Sequence, residues 1–192
     1  MRTQRAGQSA LLFLDVVEIL ARENVDYLVI GAFALSAHAV VRASSDVDAL
    51  LCVSYRRLTE ISRIFEAAGF SATLRRGDDD DPILSMLILS DPHGNRVELL
   101  GGLRGLDPKV YLRAIEVPFQ GVDLRIVGRE DFIAMKCFAG GPQDLADARA
   151  AFEGAQGPVD LDLLRAVTRR FGRDAADRLE ELGCPIRRRN NR

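Results

Sequence analysis

The chain has 192 residues, 47% of them hydrophobic, which is enough for one substantial domain with its own core. The formal net charge of −2 excludes a strong overall field for binding a polyanion, so any nucleic-acid contact would need a local patch. The three cysteines are widely spaced, which argues against a disulfide scaffold or a zinc site, and no apolar run approaches the ~20 residues that span a bilayer.

The N-terminus gives an expectation about location. Its first nine residues are polar and contain no apolar signal core. We therefore expect a soluble, cytoplasmic protein with reduced thiols and no membrane contact.

Hydrophobic periodicity predicts alternating helices and strands over the first seventy residues. A short apolar run that is stopped by Gly31 is typical of a buried strand, and Gly69 is a helix stop. In chain order we predict a helix over 10–23, a strand over 27–30, a helix over 32–40, a strand over 46–53 and a helix over 55–68.

The rest of the chain turns first to strands and then to helices. Strands are predicted over 71–74, 83–89, 96–100 and 122–127, and the turn cluster at 91–95 makes the second and third of these an antiparallel hairpin. Helices are predicted over 130–138, 144–152, 161–171 and 174–182. This order predicts an α+β (α/β) fold, a mixed β-sheet flanked by helices. We expect an α/β core over 1–127, a C-terminal helical segment over 128–186 and a basic tail over 187–192.

Two acidic residues stand at the start of the strand predicted over 46–53. Asp46 and Asp48 are two residues apart, so their side chains leave the same face of the strand. Convergent carboxylates at a strand edge suit a hard cation such as magnesium. Glu98 alternates with apolar neighbours on the hairpin and is a third candidate. The alternative for all three is an ordinary acid that faces solvent at a strand.

Gly31 lies one short helix upstream of these acids. Because glycine has no side chain, a phosphate can approach the backbone there and meet the amide groups at the start of the following helix. A glycine, a short helix and an acid pair in this order therefore point to phosphate chemistry.

These residues resemble the signature of the nucleotidyltransferase superfamily. The signature is a glycine with a small residue, then a short helix, then an acid-x-acid strand. Here it reads LVIGAFA over 28–34 and RASSDVD over 42–48. The later stretch AMKCFAGGPQDLAD over 134–147 is similar to the segment that follows the core in the AbiEii/MenT-like toxin group, where a lysine precedes an acidic helix. The resemblance covers roughly residues 24–152.

The resemblance implies a metal-dependent transfer of a nucleoside monophosphate from an NTP to an acceptor hydroxyl. Mg²⁺ or Mn²⁺ would be held by Asp46, Asp48 and Glu98, and Glu98 could also orient or deprotonate the acceptor. Lys136 would anchor the phosphates. The implied catalytic residues are Asp46, Asp48, Glu98 and Lys136, and the implied nucleotide-binding residues are Gly31, Ala32, Arg42, Ser44, Lys136, Asp144 and Asp147.

Several of these residues have plainer interpretations. Lys136 is one of only two lysines in an arginine-rich chain, which favours a function, although a surface cation is the alternative. Asp144 and Asp147 share a face near a helix start, where acids stabilise the helix in any case. Ala32, Glu98 and Gly141 depart from the family pattern, in which Gly or Ser, Asp, and a basic residue are usual.

Three functions follow. The first is transfer to tRNA or another RNA, as the toxin of a toxin–antitoxin or phage-defence system with a cognate antitoxin as partner; arginines around 165–170 and the tail would contact phosphates. The second is transfer to a small molecule of the aminoglycoside type, with the acidic loop over 78–81 contributing to an acidic pocket. The third is a degenerate protein that binds a nucleotide or a partner without turnover.

Overall fold

A computed structural model describes residues 1–38, 46–154 and 157–183 of the chain. The helices are α1 (Ser9–Arg22), α2 (Gly31–Ala37), α3 (Tyr55–Ala67), α4 (Arg129–Ala139), α5 (Pro142–Glu153), α6 (Leu161–Arg170) and α7 (Arg173–Glu181), with a 3₁₀ helix at Pro108–Arg113. The strands are β1 (Tyr27–Ile30), β2 (Asp46–Leu51), β3 (Ser71–Arg76), β4 (Ser85–Ser90), β5 (Arg96–Leu100), β6 (Ile115–Phe119) and β7 (Val122–Ile126).

These strands form one mixed sheet in the order β3-β4-β5-β2-β1-β7-β6. β1 pairs antiparallel with β2 and parallel with β7, while β2 and β5 run parallel to each other. β3, β4 and β5 form an antiparallel meander, and β6 and β7 form a hairpin at the other edge. The two strands that carry the candidate acids are therefore neighbours at the middle of the sheet.

The buried face of the sheet explains the apolar composition of its central strands. All four residues of β1 are buried, as expected for a strand covered on both faces. α3 is amphipathic and is capped at its N-terminus by Ser54, whose side chain accepts a hydrogen bond of 3.2 Å from the backbone N–H of Arg57. The sheet, α1 and the C-terminal helices share one hydrophobic core cluster.

The C-terminal helices gather around α4, which packs against α5, α6 and α7. The carboxyl end of α4 is closed by Gly140 in the left-handed conformation, at φ 69°. Arg178 of α7 donates hydrogen bonds of 3.0 and 3.1 Å to the carbonyl oxygens of Cys137 and Phe138 at the same end. The helical tail therefore supports the helix that carries Lys136.

The predicted fold class is confirmed, and most predicted elements agree with the structure within a few residues. β6 was not predicted, because it contains Pro118, which argues against a strand in the sequence but is tolerated at the edge of a sheet. The 3₁₀ helix was not predicted either. The division into a core, a helical segment and a tail stays a prediction, and the tail over 187–192 lies outside the described residues. None of the helices in the described ranges combines the length and apolar character needed to cross a membrane.

Candidate active site

Asp46 and Asp48 lie at the start of β2, on one face of the strand. The parallel register between β2 and β5 pairs Asp48 with Glu98 and Asp46 with Arg96. Paired residues on neighbouring strands project from the same face. The sheet therefore places the three predicted acids and one arginine on the same face of two neighbouring strands.

Gly31 is in contact with the second acid. The pairing of β1 with β2 places Ile30 opposite Asp48, so the chain turns into α2 directly beside that carboxylate. Gly31 has φ +66°, and a Cβ at this position would lie 2.1 Å from Oδ2 of Asp48. The sequence predicts that a phosphate approaches the backbone at Gly31, and in this structure the Asp48 side chain lies there instead. Contact of Gly31 and Ala32 with a nucleotide stays a prediction.

The carboxyl group of Asp48 is held in an unfavourable environment for a charge. Burial, followed by the nearby carboxylates of Glu98 and Asp46, raises the pKa of Asp48 from 3.8 to about 6. The positive charges of Lys136 and Arg96 act in the opposite direction. The face of β2 and β5 therefore carries an excess of negative charge that a bound cation would relieve.

Arg96 is a site residue that the sequence analysis missed. Its Nη2 lies 2.5 Å from Oε1 of Glu98, while its buried Nε has no hydrogen-bond partner. The available signal was its position two residues before Glu98, which puts both side chains on one face of a strand. Glu98 is thus drawn into an ion pair beside the two aspartates.

Lys136 lies between the two acids of α5. Its Nζ is 2.7 Å from Oδ1 of Asp144 and 3.0 Å from Oδ2 of Asp147, and it stands 5.7 Å from the ring centroid of Phe132. The side chain of Asp147 is only 2% exposed and also accepts a hydrogen bond of 2.9 Å from Gln143. The ammonium group is therefore fixed in place rather than free on a helix surface.

A cavity of about 270 Å³ lies between this face of the sheet and α4. Five of the predicted site residues line it, and they come from five different elements of the fold: Gly31, Asp48, Glu98, Lys136 and Asp144. Asp46, Ala32 and Asp147 do not line it. Convergence of a glycine, three carboxylates and a lysine on one cavity is the arrangement expected of a site that binds a phosphorylated ligand.

The carboxylates on β2 and β5 have the chemistry that a hard divalent cation requires. Their oxygens project from one face of the sheet, and their negative charges repel one another. In the ranges 1–38, 46–154 and 157–183, no three His, Cys, Asp or Glu side chains are close enough together to enclose a metal ion. Asp46, Asp48 and Glu98 as a complete ligand set therefore stay a prediction.

Other predicted contacts have different outcomes. Arg42 and Ser44 lie outside the described residues. Arg165 is ion-paired with Asp162 at 3.3 Å, and Arg170 donates to the backbone carbonyls of Gly105 and Leu106. These arginines are engaged within the fold, so the structure adds nothing to their predicted role in RNA binding.

Comparison with known proteins supports the fold. No protein-family model and no curated protein matches the chain. The solution structure of the antibiotic-resistance factor ANT(2″)-Ia has a TM-score of 0.58 at 14% identity, over 92% of this chain and 95% of that one. A nucleotidyltransferase-like protein from Paracoccidioides brasiliensis gives 0.53 at 16% identity, over 96% of both chains.

The lincosamide antibiotic adenylyltransferase LnuA, solved with lincomycin bound, gives a TM-score of 0.51 at 10% identity, over 80% of this chain and all of LnuA. At these low identities the likeness concerns the fold. The chain therefore has a nucleotidyltransferase-like fold, whereas its placement in the AbiEii/MenT-like group stays a prediction.

Proposed function

We propose that this protein is a metal-dependent nucleotidyltransferase that moves a nucleoside monophosphate from an NTP to an acceptor hydroxyl. The observation that carries this proposal is the register of β2 with β5, which sets Glu98 beside Asp48 on the wall of the cavity that Gly31 and Lys136 also line. The nucleotidyltransferase-like fold is consistent with that chemistry.

Asp46 and Asp48 would hold the metal, with Glu98 as a third donor. When bound, Mg²⁺ or Mn²⁺ would neutralise charge on the phosphates and favour attack at the α-phosphorus. The reaction forms a bond between the acceptor oxygen and the α-phosphorus, breaks the bond from that phosphorus to the β-phosphate oxygen, and releases pyrophosphate.

The protein's own groups would handle the remaining charges. Glu98 is 20% exposed at its side chain and can accept the proton that the acceptor hydroxyl loses. Lys136 is held by Asp144 and Asp147 at the cavity and can contact the negatively charged phosphates. Arg96 pairs with Glu98 and supplies a further positive charge near Asp48.

A degenerate, non-catalytic protein was the third alternative, and it rested on Ala32, Glu98 and Gly141. Glu98 faces the same side as Asp48 and is near enough to raise its pKa, which supports a role for the longer acid. Near Gly141, positive charge comes instead from Lys136 and from Arg178, whose guanidinium group lies against Gly140. These contacts favour catalysis over simple binding.

The acceptor is the part of the proposal with two candidates. The resemblance favours RNA and also implies a toxin with an antitoxin partner, and both of these stay predictions. A small molecule is favoured by the size of the cavity, because about 270 Å³ is close to the lower end of the range for small-ligand pockets. We therefore favour a small acceptor.

The direct test is transfer of label from each α-³²P-labelled NTP, with magnesium, to total tRNA and to a panel of small hydroxyl compounds. Asp46→Ala and Asp48→Ala should abolish the transfer, whereas Asp123→Ala, which removes an exposed acid from β7, should leave it unchanged. Binding of a non-hydrolysable NTP analogue should be measured in parallel. An absence of NTP binding, or transfer that survives both substitutions, would contradict the proposal.

A further inference from the structure

The cavity is lined by two chemically different groups of residues. Its charged residues are Asp48, Glu98, Lys136 and Asp144. Its remaining surface is formed almost entirely by hydrophobic side chains, and we call six of these the apolar wall: Pro82, Ile83, Met86, Leu103, Met135 and Phe138. Phosphate binding does not explain why the cavity has this apolar wall.

The apolar wall is built from both sides of the cavity. Met135 and Phe138 come from α4, while Met86 comes from β4. Ile83 and Leu103 form an isolated antiparallel bridge beyond the ends of β4 and β5, which holds the two loops together at the cavity. All of these side chains are partly exposed rather than buried in the core. They present hydrophobic surface to whatever enters the cavity.

The apolar wall itself offers no negative charge to receive a polycation, because none of its six side chains is ionisable. Among the lining residues, Glu98 is paired with Arg96, and Asp144 is paired with Lys136. Asp48 is the remaining acid, and it lies against Gly31 and beside Glu98 rather than among the six residues of the wall. An ammonium group on the apolar wall would thus be buried without a partner, which is costly.

The acidic loop that could have supplied such a charge faces elsewhere. The carboxylate of Asp78 accepts backbone hydrogen bonds from residues 80 and 81, and that of Asp81 accepts one from Ile83. Asp80 lines a neighbouring groove together with Arg104 and Arg170. The loop therefore builds its own turn, and its carboxylates do not line the cavity that holds the site.

The wall also lacks the groups that read a nucleobase. The side chains on it offer no hydrogen-bond donor or acceptor for the polar edge of a base. The polar side chains that line the rest of the cavity are three acids and Lys136. An uncharged, mainly hydrophobic group fits this surface better than a base. The two methionines can adapt to its shape.

We propose that the apolar wall binds the acceptor, and that the acceptor is a small hydroxyl compound carrying an uncharged hydrophobic ring or chain. This inference rests on the proposed function, because it assigns the acceptor for the same site. The hydroxyl group lies towards Glu98, and the hydrophobic part lies along Met86, Met135 and their neighbours. A polycationic acceptor or an RNA would not use this wall.

Methionine NMR provides a test that does not depend on turnover. The chain has three methionines, of which Met86 and Met135 belong to the apolar wall and Met1 does not. The protein is labelled with [methyl-¹³C]methionine, and Met86→Leu and Met135→Leu assign the signals. Phenyl β-D-glucoside and phenyl β-D-galactoside serve as uncharged hydrophobic hydroxyl probes, and glucose, tobramycin and total tRNA serve as polar or charged probes.

We expect both hydrophobic probes to shift the Met86 and Met135 signals with saturation, while the Met1 signal stays in place. Glucose, tobramycin and tRNA should leave all three unchanged. Shifts from tobramycin or tRNA at equal or lower concentration would overturn the inference, as would an absence of shifts from both hydrophobic probes. If a non-hydrolysable NTP analogue, added without any other probe, shifts the Met86 and Met135 signals as much as the hydrophobic probes do, the wall belongs to the nucleotide site. That result would also overturn the inference.

A matched pair of variants locates the binding surface. Ile83→Asp places a carboxylate on the apolar wall and should weaken binding of phenyl β-D-glucoside by about tenfold or more, or about 1.4 kcal/mol. Leu84→Asp makes the same change at the next residue, which does not line this cavity, and should change the affinity less than about twofold. Equal effects would contradict the inference.

The two proposals can fail separately. Methionine shifts without any transfer of label would leave the hydrophobic binding site intact and remove the enzymatic function. Transfer of label to an acceptor that does not move the Met86 and Met135 signals would keep the function and overturn the acceptor site.

Discussion

Gly31 and Asp48 occupy one small volume: a Cβ on residue 31 would lie 2.1 Å from the Oδ2 atom of Asp48. The positive φ of the chain at the end of β1 and the room for the Asp48 carboxylate therefore both depend on glycine at position 31. The acid that lines the cavity has its position because this residue has no side chain.

The first prediction concerns this contact. Gly31→Ala should destabilise the protein by more than about 2 kcal/mol and lower transfer at least about 100-fold, because the methyl group must displace the Asp48 carboxylate as well as strain the backbone. Gly94→Ala is the matched control, since Gly94 also has positive φ (79°) but no atom within 4 Å of its added Cβ. It should cost only about 1 kcal/mol and keep activity. Urea unfolding and the labelling assay measure both variants, and similar behaviour of the two would refute the displacement.

The second prediction follows from the raised pKa of Asp48. Between pH 3.8 and about 6 the folded protein retains a proton that the unfolded chain has lost, so this residue's contribution to stability falls as the pH rises through that window. Asp48→Asn should therefore add about 2–3 kcal/mol to the free energy of unfolding at pH 8 and almost nothing at pH 3.5. Urea unfolding at both pH values is the measurement, with Asp123→Asn as control. A gain that is the same at both pH values would exclude this explanation.

The third prediction separates the structural and catalytic roles of Lys136. Lys136→Met takes away the ammonium group that lies 3.0 Å from the buried Asp147 carboxylate, and should cost about 3 kcal/mol as well as nearly all transfer. Combining it with Asp147→Asn should recover much of the stability but none of the activity. Lys109→Met removes the other lysine, which is exposed on the 3₁₀ helix, and should change neither. Recovery of activity in the double variant would show that Lys136 only holds α5 in place.

The fourth prediction tests whether α7 supports the active site through α4. Arg178→Ala should lower the free energy of unfolding by about 1–3 kcal/mol, because two carbonyl groups at the end of α4 lose their donor. Arg173→Ala removes an arginine of the same helix that is 90% exposed and should cost less than about 0.5 kcal/mol. Thermal unfolding compares the two. Hydrogen exchange in α4 should also be faster in the Arg178 variant, and unchanged exchange there would contradict the coupling.

The fifth prediction concerns Arg96. Since its guanidinium group lowers the pKa of Asp48, Arg96→Met should raise that pKa above about 6, and carboxyl ¹³C NMR can follow the titration. Arg104→Met, which removes an arginine held by the carbonyls of the acidic loop, should leave the titration in place. A lower pKa of Asp48 in the Arg96 variant would mean that Arg96 acts on the site in another way.

Local sequence patterns determine much of the secondary structure of this protein and the direction of its side chains. The strand β1, the amphipathic helix α3 and the shared face of Asp46 and Asp48 all follow from spacing along the chain, because side-chain direction in a helix or strand repeats over two to four residues. The order of these elements, together with the resemblance of their motifs, was sufficient to predict a nucleotidyltransferase-like fold.

Only the tertiary structure decided how distant parts of the chain meet. The pairing of Asp48 with Glu98 depends on a parallel register between strands fifty residues apart, and a slip of one residue would turn Glu98 to the other face. The ion pair of Arg96 with Glu98 lies beside Asp48 only because of the same register. Nor did any local pattern place Met135 of α4 opposite Met86 of β4, because that proximity comes from packing a helix on a sheet, and periodicity contains no information about which elements pack together.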